Sequence, residues 1–516
     1  MKERRYNLYL MIGVFAYNVF FSVYSILRHY LYLTAGYDLG IFMQSLWTTA
    51  TGEGFFFNTA EWQDLGVHSH FGVHNQPILL LLIPVYKIFP YAETLLIIQT
   101  IAIGSGAITL FKFAKLCLKD EKRAFYISLM YLTNPLIHGI NRMDFHPVGL
   151  AIPFIFLIPY YFEKREYIKM FLTSFIILSV KEDSGLILIS LGLMYILRRY
   201  PLKEFTNPRK WKKIFLENKI PTLLIIIGSL WIVVSLFMVV PYFGGEYPYF
   251  SGKLERYGGK IYFDNIVVYF IVNIISTAFL PLLNIQLFFS SLPLWLEIFL
   301  SSHQPMVIIG TQYPYMLVPM LLIMSVYNLK EIKNAKIIIK KVNEIQTIQV
   351  SLRKLVGVSM LSMMLFSPAF HVIDSQYIWG MPIQKMVPLY INGYPYLNMI
   401  DEVTETLTKT NYTIATQNQL FPHLANRQNT YYLLTYFGNG YIPNNSLVVI
   451  DTVIPDYKPA FKYFTNYTKT HQINFQLLNT TELILTCARD DIEKTRECIH
   501  DKLNVMLQDL SDEQTK

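Results

Sequence analysis

The chain has 516 residues, of which 53% are hydrophobic and only 16% are charged, and its formal net charge is +8. A soluble protein carries about 25% charged residues, and one water-soluble core cannot hide this much apolar surface. The composition excludes a cytosolic enzyme, a disordered chain and a secreted disulfide scaffold. It predicts that most of the chain faces lipid.

Apolar stretches long enough to cross a bilayer recur along the first 370 residues, and spanning takes about 20 residues. The first is too long for a cleavable signal and lacks a small-residue cleavage site. Eleven transmembrane helices are predicted, at residues 8–27, 93–116, 124–142, 147–162, 167–180, 185–200, 219–243, 264–280, 282–300, 314–328 and 353–370.

The distribution of charge predicts two domains and an orientation. Residues 371–516 hold 11 Lys and Arg against 15 Asp and Glu, a net charge of −4, which leaves +12 for residues 1–370. The basic clusters fall on one side of the predicted helices, which is the cytoplasmic side by the positive-inside rule, so no nucleic-acid partner is needed to explain them. We therefore expect a multi-pass plasma-membrane protein with a cytoplasmic N-terminus and a long first outer loop at 28–92.

The tail from residue 371 is predicted to be a small extracytoplasmic α/β domain. Strands are expected at 412–415, 446–450 and 483–486, and helices at 401–409 and 490–510. Its Asn-x-Ser/Thr sequons agree with an exported domain. They lie at Asn411, Asn444, Asn466 and Asn479. In such a location Cys487 and Cys498 can form a disulfide, and two free thiols are the alternative.

Carboxylates gather on the predicted outer side, and each has two interpretations. Asp38 follows the first span and is either a loop or N-cap carboxylate or a general base. Asp144, two residues before His146, is either a helix-start carboxylate or part of a site. Lys181, Glu182 and Asp183 follow a short span and can lie below the outer membrane surface, either as a structural ion pair or as functional groups.

Three histidines of the first outer loop, His68, His70 and His74, have the residue type of a metal site but not a tight zinc spacing. Contacts with a phosphate and a plain loop role are the alternatives, and a divalent metal stays open as the cofactor. Nothing resembles a nucleotide-binding loop, since there is neither a GxGxxG after a strand nor a GxxxxGK[ST]. An ATP-driven pump is therefore not expected.

Several stretches resemble a family of prokaryotic membrane proteins known as domain of unknown function 2079. They are YDLGIFMQSLW at 37–47, HFGVHNQPILLLLIPVY at 70–86, NRMDFHPVGLAIPF at 141–154, VKEDSGL at 180–186 and TQNQLFPHLANR at 416–427. More distantly, the layout is similar to GT-C glycosyltransferases such as protein O-mannosyltransferases and the lipid A aminoarabinose transferase. Asp38, Asp144 and Lys181 stand where those enzymes carry two outer acids and a lysine.

The GT-C resemblance implies a helical membrane fold and a polyprenyl-phosphate sugar as donor, with an unknown acceptor. It implies Asp38 as base, with Asp144, Glu182 and Asp183 orienting the acceptor or holding a metal. The implied phosphate-binding groups are Lys181, His70, His74, His146, Arg256, Gln312 and Tyr313. Asn75-Gln76 and Gln312-Tyr313 depart from the HPPL-type and HY-type motifs of those enzymes.

Two other classes of function compete with a transferase. A transporter of a polar or lipid-linked solute places polar residues near the bilayer midplane, in repeated halves. Here the acids cluster at the outer ends of the predicted helices, and no paired halves are visible. A non-catalytic membrane protein that presents its exterior domain for binding is the third class.

Overall fold

The computed structural model describes residues 3–245, 257, 259–331, 336–341, 344–349, 352–372, 375–411, 413–433, 443, 446–450 and 483–485. Most of these residues lie in helices, as the composition predicts. Three of the helices are long and apolar enough to cross a bilayer. They are Arg5–Tyr30, Ala92–Leu118 and Lys219–Gly244.

Seven of the described helices in the first half overlap the predicted spans, and three others lie within the loop predicted at 28–92. They are α1 (Glu3–Tyr30), α2 (Ile41–Thr51), α3 (Thr59–Leu65), α4 (Ile83–Ile88), α5 (Ala92–Leu118), α6 (Glu121–Leu132), α7 (Pro135–Arg142), α8 (Ile152–Lys164), α9 (Tyr167–Leu178) and α10 (Gly185–Leu197). The predicted span at 124–142 is divided between α6 and α7. Asn134 accepts hydrogen bonds from the first amides of α7 and Pro135 occupies its first turn, so a new helix begins there.

The helices of the second half complete the bundle. They are α11 (Pro208–Glu217), α12 (Lys219–Val234), α13 (Val240–Gly244), α14 (Phe263–Ser276), α15 (Ile285–Phe288), α16 (Leu292–Phe299), α17 (Leu317–Glu331), α18 (Leu352–Phe366) and α19 (Ile383–Thr408). α17 is buried along almost its whole length, so it forms the centre of the bundle. An antiparallel pair, β1 (Lys336–Lys341) and β2 (Glu344–Gln349), joins α17 to α18 where the sequence showed only a basic cluster.

α19 differs from the prediction for the tail. The helix was expected at 401–409, but it begins at Ile383, because packing against α1 holds a segment that contains Pro388 and Gly393 in helical form. After it comes a parallel sheet in the order β4 (Thr430–Tyr432), β3 (Thr413–Thr416), β5 (Ser446–Ile450), β6 (Leu483–Leu485). The three expected strands are present and β4 is an addition. The helix expected at 490–510, Cys487 and Cys498 lie outside the described residues.

The first loop and the sheet meet at one end of the bundle. Gln44 donates to the carbonyl oxygen of Arg427 at 2.9 Å, Thr59 donates to that of Thr430, and Gln63 donates to that of Tyr432 at 3.0 Å. We call this end, which also carries the turn between α9 and α10, the Asp38 end. Residues far apart in the chain therefore form one continuous structure there.

α10 and α12 pack closely because each has a glycine where the other approaches. A Cβ atom at Gly228 would overlap the carbonyl oxygen of Gly185, whereas one at Gly357 of α18 would meet open space. We expect Gly228→Ala to lower the free energy of unfolding by about 1–3 kcal/mol through overpacking. Gly357→Ala, the matched control, should raise it by up to about 1 kcal/mol. Detergent-induced unfolding of both variants measures this, and equal effects would contradict it.

Candidate functional site

Asp38 lies in a wide turn, Gly36–Gly40, that leads from α1 into α2. Both glycines face the tail, because a Cβ atom at Gly40 would come within 2.5 Å of the Phe421 ring and one at Gly36 within 2.8 Å of Tyr432. Only residues without a side chain fit at these two positions. The close approach holds the turn in place and leaves the Asp38 carboxylate partly exposed, at 22%.

Asp38 is paired with His146, the residue before the turn at Pro147–Ala151. The carboxylate Oδ1 lies 3.3 Å from the imidazole Nε2, and the His146 side chain is 12% exposed. Among the described residues, no group bonds to the buried Nδ1 of His146. The backbone amide of His146 donates to Gln99 of α5 at 2.6 Å, which fixes the position of the ring. The pair is thus a carboxylate and an imidazole that solvent or a substrate can reach.

Asp144 is engaged in a different way, because both of its carboxylate oxygens are occupied. Arg28, at the end of α1, donates to Oδ1 at 2.7 Å, and the Ala35 amide donates to Oδ2 at 2.7 Å. Arg28 also donates to the carbonyl oxygens of Arg142 and Leu33, each at 2.6 Å. Arg28 and Asp144 are almost fully buried. This ion pair joins α1, the first loop and the end of α7.

Arg142 lies beside this ion pair and has weak contacts. Its guanidinium lies 3.4 Å from the Gly310 carbonyl oxygen and 3.5 Å from the Met143 sulfur, and its buried Nε bonds to no described group. Asp38 and Asp144 both interact with it electrostatically. Within the described part of the chain no carboxylate forms an ion pair with it, so the guanidinium can bind an anion.

The turn between α9 and α10 brings three charged side chains to the same end. Lys181 pairs with Asp183, and the Tyr315 hydroxyl donates to the other oxygen of Asp183 at 2.8 Å. The Lys181 ammonium also lies 5.9 Å from the centre of the Tyr313 ring. These contacts join the α9–α10 turn to the late loop that contains Gln312 and Tyr313. The buried Gln312 Oε1 has no hydrogen-bond partner among the described residues.

Two histidines of the first loop are bound to carboxylates. His74 Nδ1 lies 3.0 Å from Oε1 of buried Glu182. His70 is buried, with Nδ1 at 2.8 Å from Glu61 and Nε2 at 2.8 Å from Gln76 Oε1. Because both ring nitrogens of His70 face oxygen acceptors, the charged, doubly protonated imidazolium satisfies both contacts.

Aromatic contacts connect these groups. The Phe42 ring centre lies 5.2 Å from that of His70 and 5.7 Å from that of His146, and His70 lies 5.7 Å from His74. A continuous chain of contacts therefore runs from Asp38 through His146, Phe42, His70 and His74 to Glu182.

His68 stands apart from the other two histidines. It is exposed and lines a recess of about 370 Å³ together with Phe57, Trp62, Gln428 and Tyr431. Among the residues that the structure describes, no three His, Cys, Asp or Glu side chains are placed to hold a metal ion. The three histidines considered as metal ligands from sequence do not converge.

The chain matches the family described as "Predicted membrane protein (DUF2079)" over residues 28–485. The protein belongs to the DUF2079 family. The match confirms the resemblance to domain of unknown function 2079. No curated protein matches the chain.

Sequence reasoning missed two residues of this DUF2079 protein that the structure brings into the site. Arg28 and Arg142 each occupy the last turn of a helix at the Asp38 end. The available signal was their position, because a charged residue at the end of an apolar span often pairs with another group or marks a functional site. Arg256, a predicted phosphate-binding residue, lies outside the described residues.

The buried Glu61–His70 pair predicts a pH dependence of stability. Burial lowers the pKa of His70, but the Glu61 carboxylate and hydrogen bonds to Glu61 and Gln76 outweigh it, so the pKa lies above its ordinary value of about 6.5. The proton on His70 therefore stabilises the folded state fully below about pH 6.5, and this contribution is lost as the pH rises through the raised pKa.

Melting temperatures in detergent between about pH 5.5 and pH 8.5 measure this effect. The wild type should lose stability toward high pH, and His70→Gln should have a flatter profile because it carries no such proton. Parallel profiles for the two proteins would contradict the prediction.

Proposed function

We propose that this DUF2079 protein transfers a sugar from a polyprenyl-phosphate donor to an acceptor hydroxyl at the Asp38 end of the bundle. The observation that carries the proposal is the partly exposed Asp38–His146 pair, 3.3 Å apart, beside an arginine that forms no ion pair with any described residue. Base and cation are the two groups that this transfer requires. Asp38 removes the proton of the acceptor hydroxyl as its oxygen attacks the anomeric carbon.

The topology that fits this reaction has eleven spans, a cytoplasmic N-terminus, a transmembrane domain at 1–370 and an extracytoplasmic α/β domain at 371–516. Its placement of the first loop and the sheet on one side of the membrane is supported by the hydrogen bonds between them, since groups in contact lie on the same side. The donor lies within the bilayer, and its phosphate reaches the ends of the helices at the Asp38 end.

The leaving group is polyprenyl phosphate, which takes both electrons of the broken bond between the anomeric carbon and oxygen. Arg142 and Lys181 stabilise its negative charge, and Tyr313 lies beside Lys181. His74 and the late loop with Gln312 border the same region. Arg142 is the stronger anion ligand, because Lys181 already pairs with Asp183.

Asp144, Glu182 and Asp183 serve as positioning groups in this proposal. Asp144 is saturated by Arg28 and the Ala35 amide, Glu182 is bound to His74, and Asp183 is bound to Lys181 and Tyr315. Each holds a neighbouring cation or loop in place. The acceptor has a candidate location in the aromatic recess at Trp62, His68 and Tyr431, where sugar rings can stack.

The proposal is tested with purified full-length protein in lipid nanodiscs and a panel of polyprenyl-phosphate sugars carrying a radiolabelled sugar. Label should move from the lipid fraction to an acceptor or to water with wild type, and this transfer should be lost with Asp38→Asn. No release from any donor by the wild type, or equal release by Asp38→Asn, would overturn it.

A further inference from the structure

A second recess, of about 690 Å³, lies at the opposite end of the bundle. α10 begins beside the Lys181–Asp183 pair and ends at this recess, so its 13 residues separate the two regions by about 20 Å. The floor is aromatic, with Phe162 stacked on Tyr195 at 3.7 Å between ring centres. The recess is thus distinct from the site at Asp38.

Two cations of this recess are not neutralised by a described carboxylate. Among the described residues, Arg199 donates only to the amide oxygen of Asn218, at 3.0 Å, and the exposed Lys219 has no partner. The neighbouring Arg198 is bound to Glu163 at 3.3 Å and stacks 3.7 Å from the Tyr327 ring centre.

Two acids also line the recess. Glu217 accepts from the Tyr200 hydroxyl and lies 3.8 Å from Lys213, and Glu331 is exposed.

The helix that borders the recess, α11, has the composition of a helix that lies in a membrane interface. It presents four exposed basic residues within five positions, around Trp211. Leu216 of the same helix is 59% exposed and Trp211 is 46% exposed. Basic residues combined with exposed aromatic and aliphatic side chains attract a surface of anionic lipids. α11 therefore concentrates such lipids at the mouth of the recess.

Apolar paths lead away from the recess along two helices that pack side by side, α9 and α12. Exposed apolar residues follow one face of each helix at spacings of three and four. They are Ile168, Leu172 and Phe175 on α9, and Leu223, Ile226 and Leu230 on α12. Tyr167 and Ile220, which line the recess, lie at the start of these faces. A cationic recess thus opens onto apolar surface long enough for acyl chains.

We infer that the recess binds an anionic phospholipid, with its phosphate at Arg199 and Lys219 and its acyl chains along α9 and α12. The charge of the recess selects the headgroup, and the two apolar faces distinguish a lipid from a soluble phosphate. The bound lipid holds α11 against the ends of α10 and α12. This site does not depend on the transfer reaction proposed for the Asp38 end.

The test is native mass spectrometry of the full-length protein in detergent, titrated with phosphatidylglycerol, with phosphatidylcholine of the same acyl chains, or with glycerol 3-phosphate. Phosphatidylglycerol should bind more tightly than the other two. The double variant Arg199→Gln/Lys219→Gln should weaken its binding about 30-fold, since each basic charge contributes a factor of about five.

The matched control is Lys112→Gln/Lys122→Gln, which removes two exposed charges that no described group contacts. It should bind phosphatidylglycerol as the wild type does. Equal binding of phosphatidylcholine and phosphatidylglycerol by the wild type would overturn the inference without any variant. The inference would also be overturned if glycerol 3-phosphate bound as tightly as phosphatidylglycerol, or if the control variant lost phosphatidylglycerol binding to a similar extent.

Discussion

Replacing Asp144 with alanine is expected to lower the free energy of unfolding by about 3–5 kcal/mol, because it leaves the buried Arg28 guanidinium without a counter-charge. Arg28 is 4% and Asp144 3% exposed, so water cannot replace the lost partner. The Ala35 amide loses its acceptor as well. Titration of a denaturing detergent into protein in mild-detergent micelles measures the change.

The control for this experiment is a solvent-exposed ion pair on the surface of the same protein. Glu405 and Lys409 are 2.8 Å apart but are 68% and 71% exposed, so Glu405→Ala should change the stability far less than Asp144→Ala does. The double variant Arg28→Met/Asp144→Leu should recover much of the loss, because it removes the charge that was left alone. If Asp144→Ala is no more harmful than Glu405→Ala, the ion pair does not anchor the fold.

Replacing Asp38 with asparagine is expected to reduce the rate of sugar transfer by a factor of about 10²–10⁴, the usual contribution of a positioned general base. His146→Gln should also slow transfer, because the imidazole lies 3.3 Å from the base and sets its orientation. The double variant should be hardly slower than Asp38→Asn alone, since residues that act as a unit are not additive. Single-turnover rates in nanodiscs measure all three variants.

Glu93→Gln is the matched control for the Asp38 series. Glu93 is an acid at the same end, but it bonds to the Tyr30 hydroxyl and lies outside the chain of contacts around His146. Its transfer rate should stay close to that of the wild type. Additive losses in Asp38→Asn and His146→Gln would show that the two residues do not work as a pair.

The membrane part of the fold was the most predictable, because a helix that faces lipid must be apolar over a fixed length. The span expected at 219–243 lies at Lys219–Gly244, and that expected at 93–116 lies at Ala92–Leu118. α19 was missed for most of its length, because Pro388 and Gly393 are poor helix formers and packing against distant elements such as α1 compensates. Local propensity carries no information about such a distant partner.

For the candidate site, the sequence indicated residue types but not partners. Asp38, Asp144 and Lys181 were expected to act together, yet Asp144 is held by Arg28, 116 positions away. The pairing of His74 with Glu182 joins residues 108 positions apart. Pairs of this kind depend on how the helices pack, and no spacing within one segment encodes them.

The contact between the first loop and the sheet constrains the order in which this protein is made. Thr59 bonds to Thr430, 371 positions later, and Gln44 bonds to Arg427, 383 positions later. During synthesis, the loop leaves the ribosome long before the strand that covers it exists. Its buried polar side chains must stay hydrated, or be held by a chaperone, until translation is nearly complete. Truncation before Arg427 should therefore expose the first loop to proteases.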